Sequence, residues 1–332
     1  MRRGGPNPEA TRAFYDKVAE RQNAWGSHGI PRASSIGNDL RQQYFDLLSA
    51  AQQREGHRAG YSTMLEPAPI DGESLWGMAE GNWQEPQVYQ VLREQGYQIH
   101  SIQKAWVRYQ DTHGETQVRV VPDDERLGAV IAALKRTGQR PFLTGHVDGI
   151  IEGGPDELPP TLLELKKATM FSFGGMVQQG IFIDKPGYRL QASANATSLG
   201  LDMVRFYVFT RDKSATNWYF TKMRSKNPIL ANPALYVEDC PIDERWVKIA
   251  DYRALYVLDA LEKGEMPEPD PGISPLNVRV EKNGEMSHLF PCGWCEWKEP
   301  CLQEMHGRGV NINEFVVTDD LRTKKEREEK PL

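Results

Sequence analysis

An α/β body, with a helical N-terminal part and a cysteine-rich C-terminal appendage, is the fold this sequence predicts. Three observations predict it: apolar residues at helical spacing through the first hundred positions, strand-like periodicity from Tyr97 onward, and three cysteines within ten positions near the end. In order, Ala13 to Trp25 and Leu40 to Ala50 read as helices, with Ser34-Ser35 placed to cap the second. A third helix runs from about Ser74 to Gln95, and Gly96 ends it. Ile99, Ile102, Trp106, Val107 and Tyr109, then Val118, Val120 and Val121, read as strands turned at Gly114. A short helix near Leu127 to Leu134 follows. Phe142 to Ile151 and Leu162 to Lys167 are further strands, joined through Gly153-Gly154-Pro155 and punctuated by Pro159-Pro160. Next come a helix around Tyr188 to Leu199, an antiparallel pair Met203 to Thr210 and Asn217 to Thr221, and a long amphipathic helix Glu244 to Lys263 capped by Gly264. The expected organisation is a helical region 1–70, a core 71–225, a helical and cysteine-bearing region 226–312 and a charged, solvated or disordered tail 313–332.

The 332 residues have room for two domains of about 150. Forty basic against forty-six acidic residues give a net charge of −6, which excludes a polycation held to nucleic acid by bulk charge. Any such site must be local. A hydrophobic fraction of 39% and eight tryptophans exclude a disordered chain, and no apolar run approaches the roughly 18 residues of a membrane span. With no apolar leader after Met1, the expected location is cytoplasmic, where the four cysteines stay reduced.

The chemistry concentrates in Thr144-Gly145-His146-Val147-Asp148-Gly149-Ile150-Ile151 and in Leu162-Leu163-Glu164-Leu165-Lys166. On a strand, Glu164 and Lys166 share one face and Leu163 and Leu165 the other. Asp148 and Glu164 are hard oxygen ligands suited to Mg²⁺ or Mn²⁺, and Lys166 can orient or deprotonate a water and balance charge on a phosphate. That combination fits metal-assisted phosphodiester hydrolysis. A solvated edge strand produces Glu-Leu-Lys too, and the upstream aspartate and a downstream helical glutamine weigh against that plainer reading. His146, two residues before Asp148, would share its strand face as a structural or substrate-touching group, and Lys167 would point away, to solvent or phosphate.

Over roughly Ser34 to Cys301 these motifs resemble the PD-(D/E)XK nuclease superfamily, in its RecB-like, phage-type exonuclease branch. The resemblance implies a restriction-endonuclease-like core, a mixed sheet flanked by helices. Gly81-Asn82-Trp83-Gln84-Glu85 matches the family's helical Gly-x-x-x-(His or Glu), so Glu85 is implied as a first metal-side carboxylate beside Asp148, Glu164 and Lys166. Gln191 matches the family's Gln-x-x-x-Tyr, but Asn195 stands in the tyrosine position, which weakens the strand-positioning role of that motif.

Cys292, Cys295 and Cys301 have metal-ligand spacing, and thiolates select zinc or an iron–sulfur cluster. Cys-x2-Cys-x5-Cys is similar to the C-terminal part of the family's iron–sulfur staple. The segment Ser35-Ile36-Gly37-Asn38-Asp39-Leu40-Arg41-Gln42 matches the staple's upstream part, with Asp39 in place of its cysteine. The fourth ligand is then Asp39, Cys240 or His288, or the thiols form a reduced buried group without metal.

Ser35, Arg41 and Tyr188 are candidate DNA contacts, and Arg205 to Arg224 interleaves basic and aromatic residues as a nucleic-acid-facing strand would. The function expected is a Mg²⁺- or Mn²⁺-dependent deoxyribonuclease, an exonuclease in phage or recombination and repair DNA processing, with DNA and a recombination protein as partners in a bacterial or phage-infected cell. An endonuclease or resolvase on the same core, and a noncatalytic DNA-binding subunit, are the alternatives.

Overall fold

The computed structural model describes residues 29–55, 84–210, 235–267, 278–280 and 286–288, with Cys295, Trp297 and Cys301. The helix expected over Ala13 to Trp25 and the strand expected over Asn217 to Thr221 lie outside the described residues. The chain divides into two compact units, one of residues 1–38 and 71–258, the other of 39–70 and 259–332.

The first unit is a mixed α/β structure. Its larger sheet has five strands: β1 (Tyr97–His100), β5 (Gly149–Gly153), β6 (Leu158–Ala168), β7 (Met203–Thr210) and β8 (Leu235–Pro241), in that spatial order. Only β6 and β7 run parallel; the other neighbours are antiparallel. A second, antiparallel sheet is ordered β3 (Thr116–Val120), β2 (Ala105–Gln110), β4 (Arg140–His146). Both edges of β7 are taken, by β6 and β8, so the antiparallel partner of Met203 to Thr210 is Leu235–Pro241 and not the Asn217 to Thr221 segment the sequence suggests.

The expected single strand from Phe142 to Ile151 is two. The chain leaves the smaller sheet after His146 and enters the larger one at Gly149, and Val147 and Asp148 make the crossing. His146 and Asp148 therefore do not share a strand face. His146 ends β4 exposed, and Asp148 sits in the break. Pro159-Pro160 does not end a strand either. Both prolines lie within β6, where its register with β5 shifts between Ile151 and Gly153, a place where a missing N–H costs little.

Helices cover both faces of the larger sheet. On one face the helix over 84–94, here α2 after α1 (Leu40–Glu55), packs Tyr89 and Leu92 against Tyr97, Ile151, Leu158, Leu163 and Tyr207, with Val88, Leu165 and Phe209 beside them. Residues 88, 89 and 92 recur at helical spacing, and Leu163 and Leu165 at strand spacing, so two periodicities meet in one core. Gly96 ends α2 at φ +93°. On the other face lies α6 (Pro186–Ser198), reached from β6 through α4 (Met170–Gln179) and α5 (Ile181–Asp184), two helices the sequence reading leaves unassigned. Leu127–Arg136 forms α3, and Glu244–Lys263 forms α7, closed by Gly264 at φ +68°.

In the second unit α1 is capped by Asp39, whose Oδ1 accepts from the backbone N–H of Arg41 at 2.9 Å. The cap is not Ser34-Ser35, because Ala33–Ser35 forms a separate 3-10 turn. Trp297 stacks on Phe45 of α1 and donates from Nε1 to Asp46 at 2.5 Å. Val278–Val280 and Met286–His288 pair as an antiparallel ribbon. Among the described residues no helix is long and apolar enough to cross a membrane.

Candidate active site

The site forms where the two sheets part. β6 runs on beyond the point where β5 begins: Gly149 pairs with Leu163, and upstream of Gly149 the chain has turned toward the other sheet. The N–H of Leu165 thereby lacks a strand partner on that side, and Asp148 supplies one, its Oδ2 accepting from Leu165 at 2.7 Å. One side chain both completes the ladder and stands beside Glu164 and Lys166. Tyr89, reaching over from α2, donates its hydroxyl to the Asp148 carbonyl at 2.8 Å and fixes the backbone of the crossing.

Strand alternation sends Glu164 and Lys166 to the α6 face. Glu164 is 1% exposed and both its oxygens are engaged: Lys166 Nζ donates to Oε2 at 2.6 Å, and Asn195 Nδ2 donates to Oε1 at 2.7 Å. Asn195 is itself held, since Trp106 Nε1 on β2 donates to its Oδ1 at 3.1 Å, with both residues fully buried. Lys166 lies 5.4 Å from the centroid of the Tyr188 ring, so this candidate DNA contact packs against the site lysine. Tyr188, Gln191 and Asn195 follow one another at helical spacing on α6 and share a stripe; Gln191 is half-buried between the other two.

The electrostatics follow from crowding two carboxylates in a partly dry place. Burial, and after it the charge of Glu164, pushes Asp148 up to about 7. Burial alone would lower Lys166, but the charges of Glu164 and Asp148 outweigh it and hold the lysine well above its ordinary value. With two carboxylate neighbours the ammonium form of Lys166 is favoured, which suits a charge-balancing and orienting group. Glu85 on α2 is raised by burial while Lys166 opposes the shift, and it borders a cavity of about 40 Å³ with Leu165, Lys166 and Lys167.

Among the described residues no group of three or more His, Cys, Asp or Glu side chains is drawn close enough to hold a metal ion alone. The nearby pair Asp148 and Glu164 nevertheless suits Mg²⁺ or Mn²⁺, which keep several waters and take one or two carboxylates together with substrate phosphate oxygens. Both donors are hard oxygens, and their mutual repulsion is what a cation would relieve.

Other sequence candidates fall elsewhere. Arg41 is 4% exposed and its Nε lies 3.4 Å from Asp39, which removes it from the surface a phosphate would meet. Ser35 Oγ donates to the Arg32 carbonyl at 3.1 Å. Arg205 does not open a nucleic-acid-facing strand: it is buried, paired with Asp239 directly across on β8 and with Asp156 at 2.7 Å. The rest of that basic stretch, 211–224, lies outside the described residues. Cys292 and His288's side chain do too. Cys240, Cys295 and Cys301 carry no disulfide, and Cys240 is a poor thiolate donor, its thiol raised by burial and by Glu238.

Sequence reasoning missed Trp106 and Tyr89 and read Asn195 as a loss. A signal for Asn195 existed: four residues after Gln191, it had to share that residue's helical face. Nothing local joins Trp106 to Asn195, 89 positions away.

No protein-family model and no curated protein sequence matches the chain. Among solved structures it is similar to LHK-Exo in complex with dAMP, at 14% identity over 71% of this chain and 89% of that one, with a TM-score of 0.40. An alkaline exonuclease (LHK-Exo) from Laribacter hongkongensis gives 14% identity with the same coverage and a TM-score of 0.39. SSO0001 gives 10% identity over 88% of this chain and 95% of that one, with a TM-score of 0.41. At that level of likeness the function rests on the residues of the site.

Proposed function

We propose that this protein is a Mg²⁺- or Mn²⁺-dependent deoxyribonuclease whose site is Asp148, Glu164 and Lys166. The observation that carries the reading is the Asp148 Oδ2 to Leu165 N–H bond of 2.7 Å, because it draws the aspartate of the sheet crossing against the strand segment bearing Glu164 and Lys166. Asp148 and Glu164 would hold the cation, with Glu85 at the edge of the site. When bound, such a cation supplies Lewis-acid polarisation of the phosphate and a more acidic water. Lys166, charged and pinned by Glu164, offsets negative charge gathering on the phosphate as water oxygen joins phosphorus and the sugar oxygen leaves. Gln191 and Tyr188, on the α6 stripe beside Lys166, would bind the DNA strand.

Exonuclease action in phage-type or recombination DNA processing follows from the sequence resemblance. Digestion of end-labelled linear and closed circular DNA, with Mg²⁺, Mn²⁺ or EDTA, tests it. Cation-dependent loss of linear DNA alone is expected; cleavage of circles would make it an endonuclease, and no cleavage with any cation would refute the site. We also propose a structural metal, zinc or iron–sulfur, on Cys292, Cys295 and Cys301; Asp39, Cys295 and Cys301 are not drawn together as a ligand group, so Asp39 is not its fourth ligand. Iron and zinc analysis of anaerobically purified protein tests it, and absence of both would refute it.

A further inference from the structure

We infer that Asn195 is a positioning residue that sets the direction of the Glu164 carboxylate, and that Trp106 sets the direction of Asn195. The inference rests on the reading of Glu164 as a cation-holding carboxylate.

An indole N–H donates and never accepts. Trp106 Nε1, 3.1 Å from Asn195, must therefore face the amide oxygen, and this forces the amide NH₂ toward Glu164, 2.7 Å from Oε1. The orientation of an asparagine amide is ordinarily ambiguous; here the chemistry of its neighbours allows one choice. Glu164 thus receives a fixed donor on Oε1 and Lys166 on Oε2, so its carboxylate plane is set from both sides. Hydrogen bonds of this kind to a ligating carboxylate are what fix its orientation, and losing one typically costs ten- to a hundredfold in metal affinity.

The surroundings are shaped around the chain of three. Gly145 on β4 leaves room for it: a Cβ there would collide with the Trp106 ring and lie 2.7 Å from Asn195 Oδ1. The flanking residues Ala192, Ala194 and Ala196 are fully buried and small, so α6 sits close to the sheets and a short amide spans the gap. A tyrosine at position 195, fully buried against Trp106, would not fit this spacing.

Asn195→Ala removes the donor to Glu164 and adds no charge that would itself attract a cation. The measurements are Mn²⁺ affinity by titration calorimetry without DNA, and kcat and KM for DNA cleavage, with circular dichroism as the folding control. Mn²⁺ affinity is expected to fall at least tenfold, and kcat to fall with KM for DNA within about threefold, since the amide acts on Glu164 and not on DNA. A folded Asn195→Ala protein that binds Mn²⁺ within twofold of wild type overturns the inference. If Asn195→Ala does not fold, Asn195→Val, which is also uncharged and without a donor, decides by the same criterion. Glu164→Ala is the control for the site itself. Loss of Mn²⁺ binding there, with none in the Asn195 variants, overturns only the role of Asn195. Retained binding in Glu164→Ala overturns the site and the inference together.

Discussion

Asp148 meets the strand segment of Glu164 and Lys166 at one strand crossing. Asp148→Ala and Glu164→Ala are each expected to abolish cation-dependent DNA cleavage, leaving a folded protein by circular dichroism, since in the proposed site each removes a cation ligand. Lys166→Ala should lose cleavage at least a hundredfold, an order-of-magnitude expectation for removing a charge aimed at the reacting phosphate, while Mn²⁺ binding by calorimetry is retained. Loss of Mn²⁺ binding in that variant would give Lys166 a different role. Asp148 has a pH consequence whose sign follows from its raised value. Without a cation, the folded protein keeps a proton on Asp148 up to about 7 that the unfolded chain releases near the ordinary carboxylate value of about 4. That contribution to stability is fully present below the unfolded value and is lost as pH rises through the folded one. A cation takes the proton's place, so its binding tightens over the same window. The thermal midpoint is expected to rise more on adding Mn²⁺ at about pH 8 than at about pH 5.5, and equal rises would refute the coupling.

Among the elements, β6 was legible and the β4 to β5 crossing was not, for one physical reason. Alternation in Leu163-Glu164-Leu165-Lys166 is a local consequence of strand geometry, readable from neighbours alone. Phe142 to Ile151 reads as one strand, but its apolar ends, Phe142-Leu143 and Ile150-Ile151, are buried in different sheets, and that division depends on partners distant in sequence. The strand Leu235–Pro241 escaped for a related cause. Its Glu238 and Asp239 look like loop residues until Ile181 N–H donates to Glu238 and Arg205 pairs with Asp239. Helix α1 was placed correctly but its cap was not, since Asp39 and not a serine stands one residue before Leu40. Asp39→Ala is expected to cost about 1 kcal/mol of stability by chemical denaturation, the usual worth of an N-cap. Gly145→Ala tests the packing of β4 against β2 and α6. The added methyl meets the Trp106 ring, and a loss of roughly 1–3 kcal/mol is expected, whereas an unchanged denaturation midpoint would mean that Trp106 moves freely.

For the whole molecule, a net charge of −6 limits how DNA can be held. Association should depend on local contacts and on the cation, and the slope of log affinity against log salt is expected to stay below about 4 in magnitude; a slope near 10 would require an extended basic surface. The sheet crossing carries a consequence for the motions of the first unit as well. Leu165 N–H is hydrogen-bonded to Asp148, upstream of where β5 begins, so this amide exchanges with deuterium when the aspartate lets go. Its exchange rate is then a gauge, at one atom, of how often the two sheets part at their junction. Slow exchange that quickens in Tyr89→Phe, which releases the Asp148 carbonyl, would mark the junction as a hinge latched from α2. Breathing at that hinge and integrity of the carboxylate pair would be one event, read by a single deuteron.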